Sequence, residues 1–466
     1  MISQKKHKDL WIFLATICSY LILYFSYNVK SYILAHLMYG LILFFLIKMS
    51  LIQTIFSMLI FTLPFEKGLR WWIFETIPKR IDLGILGYEF HFGISLKLIF
   101  LTTLALLLLM RRREKIQTGN NHKLLIYFSI LASISTIVSA NQVHSMLGLI
   151  RLLAGVLGLI ISTIMFRKNE NKKIFALIVL SSLIFLSFIG IRQGLSKSPI
   201  NIFIEDTQYS RTFYTKAGED LFRSSGTTGH PTFFGSYLSL IIPLSIGYSI
   251  KKLSKHKRRN LFILLLTITG VFATIATYSR SAWITLSVSL ILMIKKHKKQ
   301  QITPSQLVGF LLATILIATY VPQIISRVKS FENVWTVGTG KGRVDLILKS
   351  FEISKKYPIF GIGLNQFTTH LKSNYPSESS FKFTYPVHNT FLLFISELGI
   401  PAGTIFLVFS LTLLKSSYKK SKKSWLSWGV WVGCFTFFIN AQFHPLFNQD
   451  PSFDMMMIML GFLSSI

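Results

Sequence analysis

Of the 466 residues, 51% are hydrophobic and only 15% are charged, giving a mean hydropathy of +0.52. A soluble domain carries about 25% charged residues, so water is excluded as the main solvent. The formal charge of +32 does not point to nucleic acid either: the Lys and Arg residues stand between apolar runs as short anchors and form no continuous basic face, so no nucleic acid is expected as a partner.

In chain order, a basic start at Lys5, Lys6 and Lys8 precedes an apolar run from Leu10 to Phe25. No small-x-small cleavage site follows, because Tyr27, Asn28 and Val29 lead directly to Lys30, and the run reads as a first membrane helix. Apolar runs of membrane-spanning length predict further helices near 32–47, 50–64, 94–110, 124–140, 146–166, 173–191, 232–250, 261–278, 281–294, 305–321, 387–414, 424–441 and 452–466. The expectation is an all-α fold, a polytopic transmembrane helical bundle of about 12–14 spans. An even number of spans leaves both termini in the cytoplasm. The basic clusters at Arg111–Arg113, Arg167 and Lys168, Lys251–Arg259, Lys295–Lys299 and Lys415–Lys423 then all fall on the inner side, as positive-inside orientation requires. Acidic residues took no part in that placement, and only Asp9, Glu114 and Glu170 fall inside. Cys18 and Cys434 lie within spans, where a disulfide framework has no role.

Three outer connections are long: roughly 65–93, which carries Trp71 and Trp72, then 192–231 and 322–386. Long loops in a compact protein are usually functional, so the working face is expected outside. Residues 1–466 read as a single integral membrane domain, with 322–386 as a large extracytoplasmic loop inserted between spans. Within that loop Val344, Ile347, Leu348 and Phe351 recur at helical spacing, with Asp345, Lys349, Glu352 and Lys356 on the other face, which predicts an amphipathic helix. Pro358 stops it, and Gly361 and Gly363 give a turn.

Several residues at span ends have the chemistry of a site. Arg280 sits in Tyr278-Ser279-Arg280-Ser281, where one span ends and the next begins almost without a loop. A partly desolvated guanidinium there suits phosphate oxygens, and the competing reading is an Arg snorkelling to the interface. Arg343, in Gly340-Lys341-Gly342-Arg343, opens the amphipathic helix as an anion seat or as a solvated charge. His388, in Pro386-Val387-His388-Asn389, stands where the outer loop re-enters the membrane. It can take a proton from a hydroxyl near neutral pH or serve as a plain polar anchor. Glu397 lies further along the same helix, to orient His388 or to pair with an Arg. Arg211, Lys216 and Arg223 precede Ser224-Ser225-Gly226-Thr227-Thr228-Gly229-His230-Pro231, whose Gly and Thr residues can expose backbone N–H groups to an anion. The acidic pairs Glu205-Asp206 and Glu219-Asp220 are divalent-cation candidates or solvated loop charges. No Walker A spacing, zinc spacing or nucleophile elbow is present.

The order of these pieces resembles the O-antigen ligase and O-antigen polymerase superfamily of bacterial envelope glycan transferases. The matching stretches are Arg223-Ser224-Ser225-Gly226 with His230-Pro231, Ser279-Arg280, Arg343 followed by Tyr357-Pro358-Ile359-Phe360-Gly361-Ile362-Gly363, and His388-Asn389 with Glu397-Leu398-Gly399 and Gly403. They cover roughly residues 220–410. The resemblance implies a multi-pass protein of the bacterial cytoplasmic (inner) membrane with its active site facing the periplasm or exterior. Such an enzyme moves a glycan from an undecaprenyl-diphosphate-linked donor to a glycan or lipid A core acceptor, and no cofactor, metal or nucleotide sugar is expected. By that likeness Arg280, Arg343 and Arg223 hold the donor diphosphate, His388 positions or deprotonates the acceptor as a catalytic residue beside Arg280 and Arg343, and Asn389 and Glu397 support it. A transporter or flippase for lipid-linked oligosaccharide is the alternative; it calls for midplane charges and repeated halves, and neither stands out in the sequence.

Overall fold

The computed structural model describes residues 2–65, 96–110, 120–202, 204, 212–214, 220–252, 259–296, 339–375, 386–446 and 451–466. The predicted span at 305–321, Trp71 and Trp72, Arg211, Lys216, Glu205, Asp206 and Glu219 lie outside them.

Sixteen helices are present among the described residues. The first three are α1 (Ile2–Tyr24), α2 (Val29–Leu41, running on as a π-helical turn over Ile42–Leu46) and α3 (Leu51–Thr62). Then come α4 (Leu96–Met110), α5 (Asn120–Ile137), α6 (Gln142–Met165) and α7 (Asn169–Ser196). After a two-stranded antiparallel ribbon, Thr212–Tyr214 with Asp220–Phe222, follow α8 (Pro231–Lys252), α9 (Arg259–Ile275) and α10 (Arg280–Lys296). The outer-loop helices are α11 (Thr339–Lys356) and α12 (Phe367–Asn374), and the chain closes with α13 (Thr390–Leu398), α14 (Ile400–Ser421), α15 (Trp425–Asn440) and α16 (Ser452–Ser464). Local chemistry fixes several starts. Asn28 and Ser50 cap α2 and α3 through reciprocal capping boxes with Ser31 and Gln53, and the Asn389 side chain accepts the first N–H groups of α13.

Thirteen of the fourteen predicted spans thus fall on observed helices, and the fourteenth is the one outside the described residues. Five helices are long and apolar enough to cross a membrane by length and composition: Val29–Leu46, Gln142–Met165, Asn169–Ser196, Pro231–Ile250 and Ile400–Ser421. Shorter apolar helices pack with them, and the result is an all-α polytopic bundle. α7 is buried almost all round, as a helix without a polar stripe must be. Leu14, Leu21, Leu106, Ile130 and Leu411 instead face outward, where lipid is their natural solvent.

Without a hydrophobic drive between helices in lipid, small residues set the closest approaches. A Cβ on Gly429 would lie 2.2 Å from the Pro243 carbonyl oxygen, and one on Gly433 2.4 Å from that of Leu240, so the Gly429-x-x-x-Gly433 face of α15 lies directly on the backbone of α8. In the same way Gly235 of α8 abuts Ala282 of α10, 2.7 Å from Cβ to Cβ were one present. These contacts bring the start of α8, the start of α10 and the end of α15 to one end of the bundle.

The expected single run over 387–414 is two helices. Gly399 adopts φ +88 and breaks the chain between α13 and α14. Into the break docks the turn after α11: the Ile400 N–H donates to the Pro358 carbonyl at 2.8 Å, Ile362 N–H to Ser396 at 3.1 Å and Gly363 N–H to Glu397 at 2.8 Å. Tyr357–Gly363 and Glu397-Leu398-Gly399, separate in sequence, are therefore two halves of one joint.

Candidate functional site

The site is assembled from five segments. Arg223 follows the ribbon and is buried; its Nε donates to the Thr277 carbonyl at 2.7 Å, while the Ser224 N–H donates to Ala276 at 2.9 Å. These bonds tie the second outer connection to the turn between α9 and α10. The next residues fold tightly: the Gln193 side chain accepts the N–H groups of Ser225 and Gly226, and Thr227 donates to the Pro64 carbonyl at 2.6 Å. The turn delivers His230 to the start of α8. Its Nδ1 accepts the Thr232 N–H at 3.2 Å, so the neutral ring carries its proton on Nε2.

Arg280 is the first residue of α10, and the turn before it is forced. Tyr278 holds φ 49, the left-handed region that costs a bulky side chain about 1–2 kcal/mol. Its ring packs against Trp283, and the Trp283 Nε1 donates back to the Thr274 carbonyl at 3.3 Å. The strain reverses the chain in four residues and leaves the Arg280 side chain partly exposed at the helix start.

Arg343 lies in the first turns of α11, partly exposed. α11 rests on α13 through the Ser350 and Ser396 hydroxyls, 2.9 Å apart, so the guanidinium is carried by a docked helix. His388, also partly exposed, stands just before the α13 N-cap. The cap residue Asn389 accepts the N–H groups of Phe391 and Leu392 at 3.0 Å and donates to the Gln442 side chain at 3.1 Å. Glu397 is fully buried, and its Oε1 accepts the Phe367 N–H at the first turn of α12, 3.2 Å away. Its carboxylate thus fastens the outer-loop helix to the α13–α14 joint.

The electrostatics show which groups share space. Burial, then the charge of Arg280, loosen the Arg343 proton. Burial and the Arg343 charge lower His388 to about 4, partly offset by a hydrogen bond to the Pro386 carbonyl. Burial, Arg223 and His388 lower His230 to about 3. Arg223, His230, Arg280, Arg343 and His388, drawn from four stretches of sequence, thus lie within one another's fields in an overlapping chain. A neutral imidazole at His388 keeps one ring nitrogen lone pair, which is what a general base needs.

Sequence reasoning missed His444. It follows α15 and is buried behind His388, with ring centroids 6.1 Å apart. Its Nε2 lies 2.7 Å from the Ser281 hydroxyl, one residue from Arg280. The one signal in the sequence was Gln442-Phe443-His444-Pro445 at the outer end of an apolar run.

Residues 262–407 match the family model described as O-Antigen ligase. This stretch is similar to the O-antigen ligase family. The resemblance read from the motif order is borne out over this stretch, and the apolar helices with the family match point to a multi-pass membrane protein and, in general terms, to an enzyme. No curated protein matches the chain. The ligase match contains Arg280, Arg343, His388, Asn389 and Glu397, while Arg223, His230 and His444 fall outside it.

Proposed function

We propose that this protein transfers a glycan from an undecaprenyl-diphosphate carrier to an acceptor hydroxyl, as an O-antigen ligase or polysaccharide polymerase, at the outer face of the cytoplasmic membrane. The observation that carries the reading is the meeting of two partly exposed guanidiniums, Arg280 and Arg343, with the neutral His388 at one end of an apolar bundle.

The chemistry follows from charge. As the bond from sugar C1 to the phosphate oxygen breaks, its electron pair goes to the diphosphate, which gains negative charge; fixed guanidiniums stabilise that charge more in the transition state than in the ground state. The acceptor oxygen forms the new bond to C1 and gives its proton to His388, a contribution of about 10²- to 10⁴-fold. Arg223, buried and bonded to Thr277, adds positive potential from behind. The cations are supplied by the chain itself, so the reading requires no metal. A lipid-linked donor reaches such a site sideways from the bilayer, which accounts for cations at helix ends.

Purified protein given lipid-linked repeat units, with lipid A core or repeat units alone as acceptor, tests this. A polymer ladder identifies a polymerase and a single capped product a ligase. Full product from both Arg343→Ala and His388→Ala removes the mechanism, and proteoliposomes that move the donor across without forming a glycosidic bond replace it with a flippase.

A further inference from the structure

His388 and Arg280 reach the site from elements that do not follow each other in sequence, yet transfer needs base and cation at a fixed separation. The turn after α15 spans between them. On the His388 side the backbone is stitched: the Thr390 N–H donates to the Ala441 carbonyl at 2.8 Å, the Thr390 hydroxyl to the His444 carbonyl at 2.8 Å, the Leu446 N–H to the Thr390 hydroxyl at 3.1 Å, and Asn389 to Gln442. On the Arg280 side the turn's bond is made by the His444 side chain, whose Nε2 meets the Ser281 hydroxyl at 2.7 Å, while further along α10 the Ser289 hydroxyl bonds Thr436 of α15 at 3.1 Å. Ser281 in turn lies 3.3 Å from the Ser279 hydroxyl, so both neighbours of Arg280 belong to the same polar chain.

We propose that His444 is a positioning residue for the transfer reaction: its imidazole clamps the Ser279-Arg280-Ser281 turn to the His388-bearing N-terminus of α13 and so fixes the donor-binding cation relative to the acceptor base. Three observations carry it. His444 is buried while His388 and Arg280 are partly exposed, so it stands behind them and acts through them. An imidazole spanning from α15 to α10 is an unneeded polar group for a membrane helix end unless its bond is used, because apolar packing would close the same gap without a desolvated ring. The backbone bonds to Thr390 do not depend on the side chain at 444, so replacing the ring cuts the Arg280 link alone.

The inference rests on the transfer reading, and the experiment separates the two. Full-length protein in detergent or proteoliposomes is assayed with lipid-linked repeat units as wild type, His388→Ala, His444→Leu, His444→Gln and Ser281→Ala. In His444→Leu, kcat falls about 10- to 100-fold while the donor KM changes less than about threefold, because misplacement of a preorganised group is felt in the transition state. Gln, whose terminal amide reaches Ser281 as Nε2 does, restores kcat to within about threefold of wild type, and Ser281→Ala imitates His444→Leu. Wild-type kcat in His444→Leu overturns the inference alone, provided His388→Ala is inactive. Equal losses in Leu and Gln together with a lowered melting temperature make the ring mere packing and also overturn it. A wild-type protein that forms no glycosidic bond removes the transfer reading and this inference together.

Discussion

At the scale of single residues, the cations and the base separate by what each substitution does to rate and pH dependence. On the proposed mechanism Arg280 and Arg343 act on charge that grows at the leaving group, so each Ala substitution is expected to lower kcat about 10²- to 10³-fold, the loss seen when one fixed transition-state donor is removed. Arg280→Lys recovers only part of it, because an ammonium lacks the planar fork that meets two phosphate oxygens; full recovery would show that charge alone suffices. His388 carries the pH signature. Burial and the Arg343 charge hold it at about 4 in the free enzyme, so the acid limb of kcat/KM falls as pH drops through about 4, well below the ordinary histidine value of about 6.5. A diphosphate bound at Arg343 cancels that repulsion, and the acid limb of kcat lies higher than that of kcat/KM. Coincident limbs near 6.5 would exclude His388 as the group. The same shifts set stability: His388, His230 and His444 all bind protons less readily folded than unfolded, so the unfolded chain takes up more protons as pH falls from about 6.5 towards 4. Stability to denaturation is therefore full above about 6.5 and declines through that window.

The elements that hold these residues depend on backbone geometry more than on side-chain chemistry. At Gly399, with φ +88, a Cβ would lie 2.0 Å from the Ile359 carbonyl oxygen, and at Gly361, with φ +64, 2.4 Å from the Glu397 carbonyl carbon. Gly399→Ala is expected to destabilise by about 1–3 kcal/mol through strain alone and to undock the Tyr357–Gly363 turn, lowering activity without touching a catalytic group; unchanged melting and activity would show that the joint is dispensable. The joint also marks how far the sequence could be read. Apolar run length located every span that the structure describes, because crossing a bilayer leaves a signal about twenty residues long. Pro358 and the paired glycines announced a turn after the amphipathic helix, and α11 ends at Lys356 as expected. The break inside 387–414 was hidden, since hydropathy is blind to a glycine that stays apolar while leaving the helix. Arg280, Arg343 and His388 were visible as polar groups at helix ends. His444 was not, because its meaning lies in a contact with Ser281 across 163 positions, and nothing in a single sequence reports such a pairing.

On the scale of the whole molecule, two ends of the bundle differ in kind. One holds the guanidiniums and imidazoles with α11 and α12 above them. At the other, Lys8 pairs with Glu170 at 3.0 Å and Lys173 with Asp9 at 2.5 Å, joining α1 to α7, and Lys296 lies over the rings of Trp425 and Trp428. The Lys8–Glu170 pair is partly exposed and contributes about 0–1 kcal/mol, while Asp9 of the other pair is buried; both matter here for topology: basic residues crowd the end opposite the site, where positive-inside orientation places the cytoplasm. Under the proposed function, a lipid-linked glycan donor assembled for export would then be met on the outer face. Labelling decides this in a background of Cys18→Ser and Cys434→Ala, the former exposed and the latter buried. Ser373→Cys on α12 and Lys420→Cys near the end of α14 both place a thiol on the exposed surface, at opposite ends of the bundle. In intact cells a membrane-impermeant maleimide is expected to modify the first and to reach the second only after permeabilisation. The reverse pattern would turn the cationic end towards the cytoplasm, where an exported carrier-linked glycan does not reside, and the proposed donor would have to be abandoned while the helical fold stood unchanged.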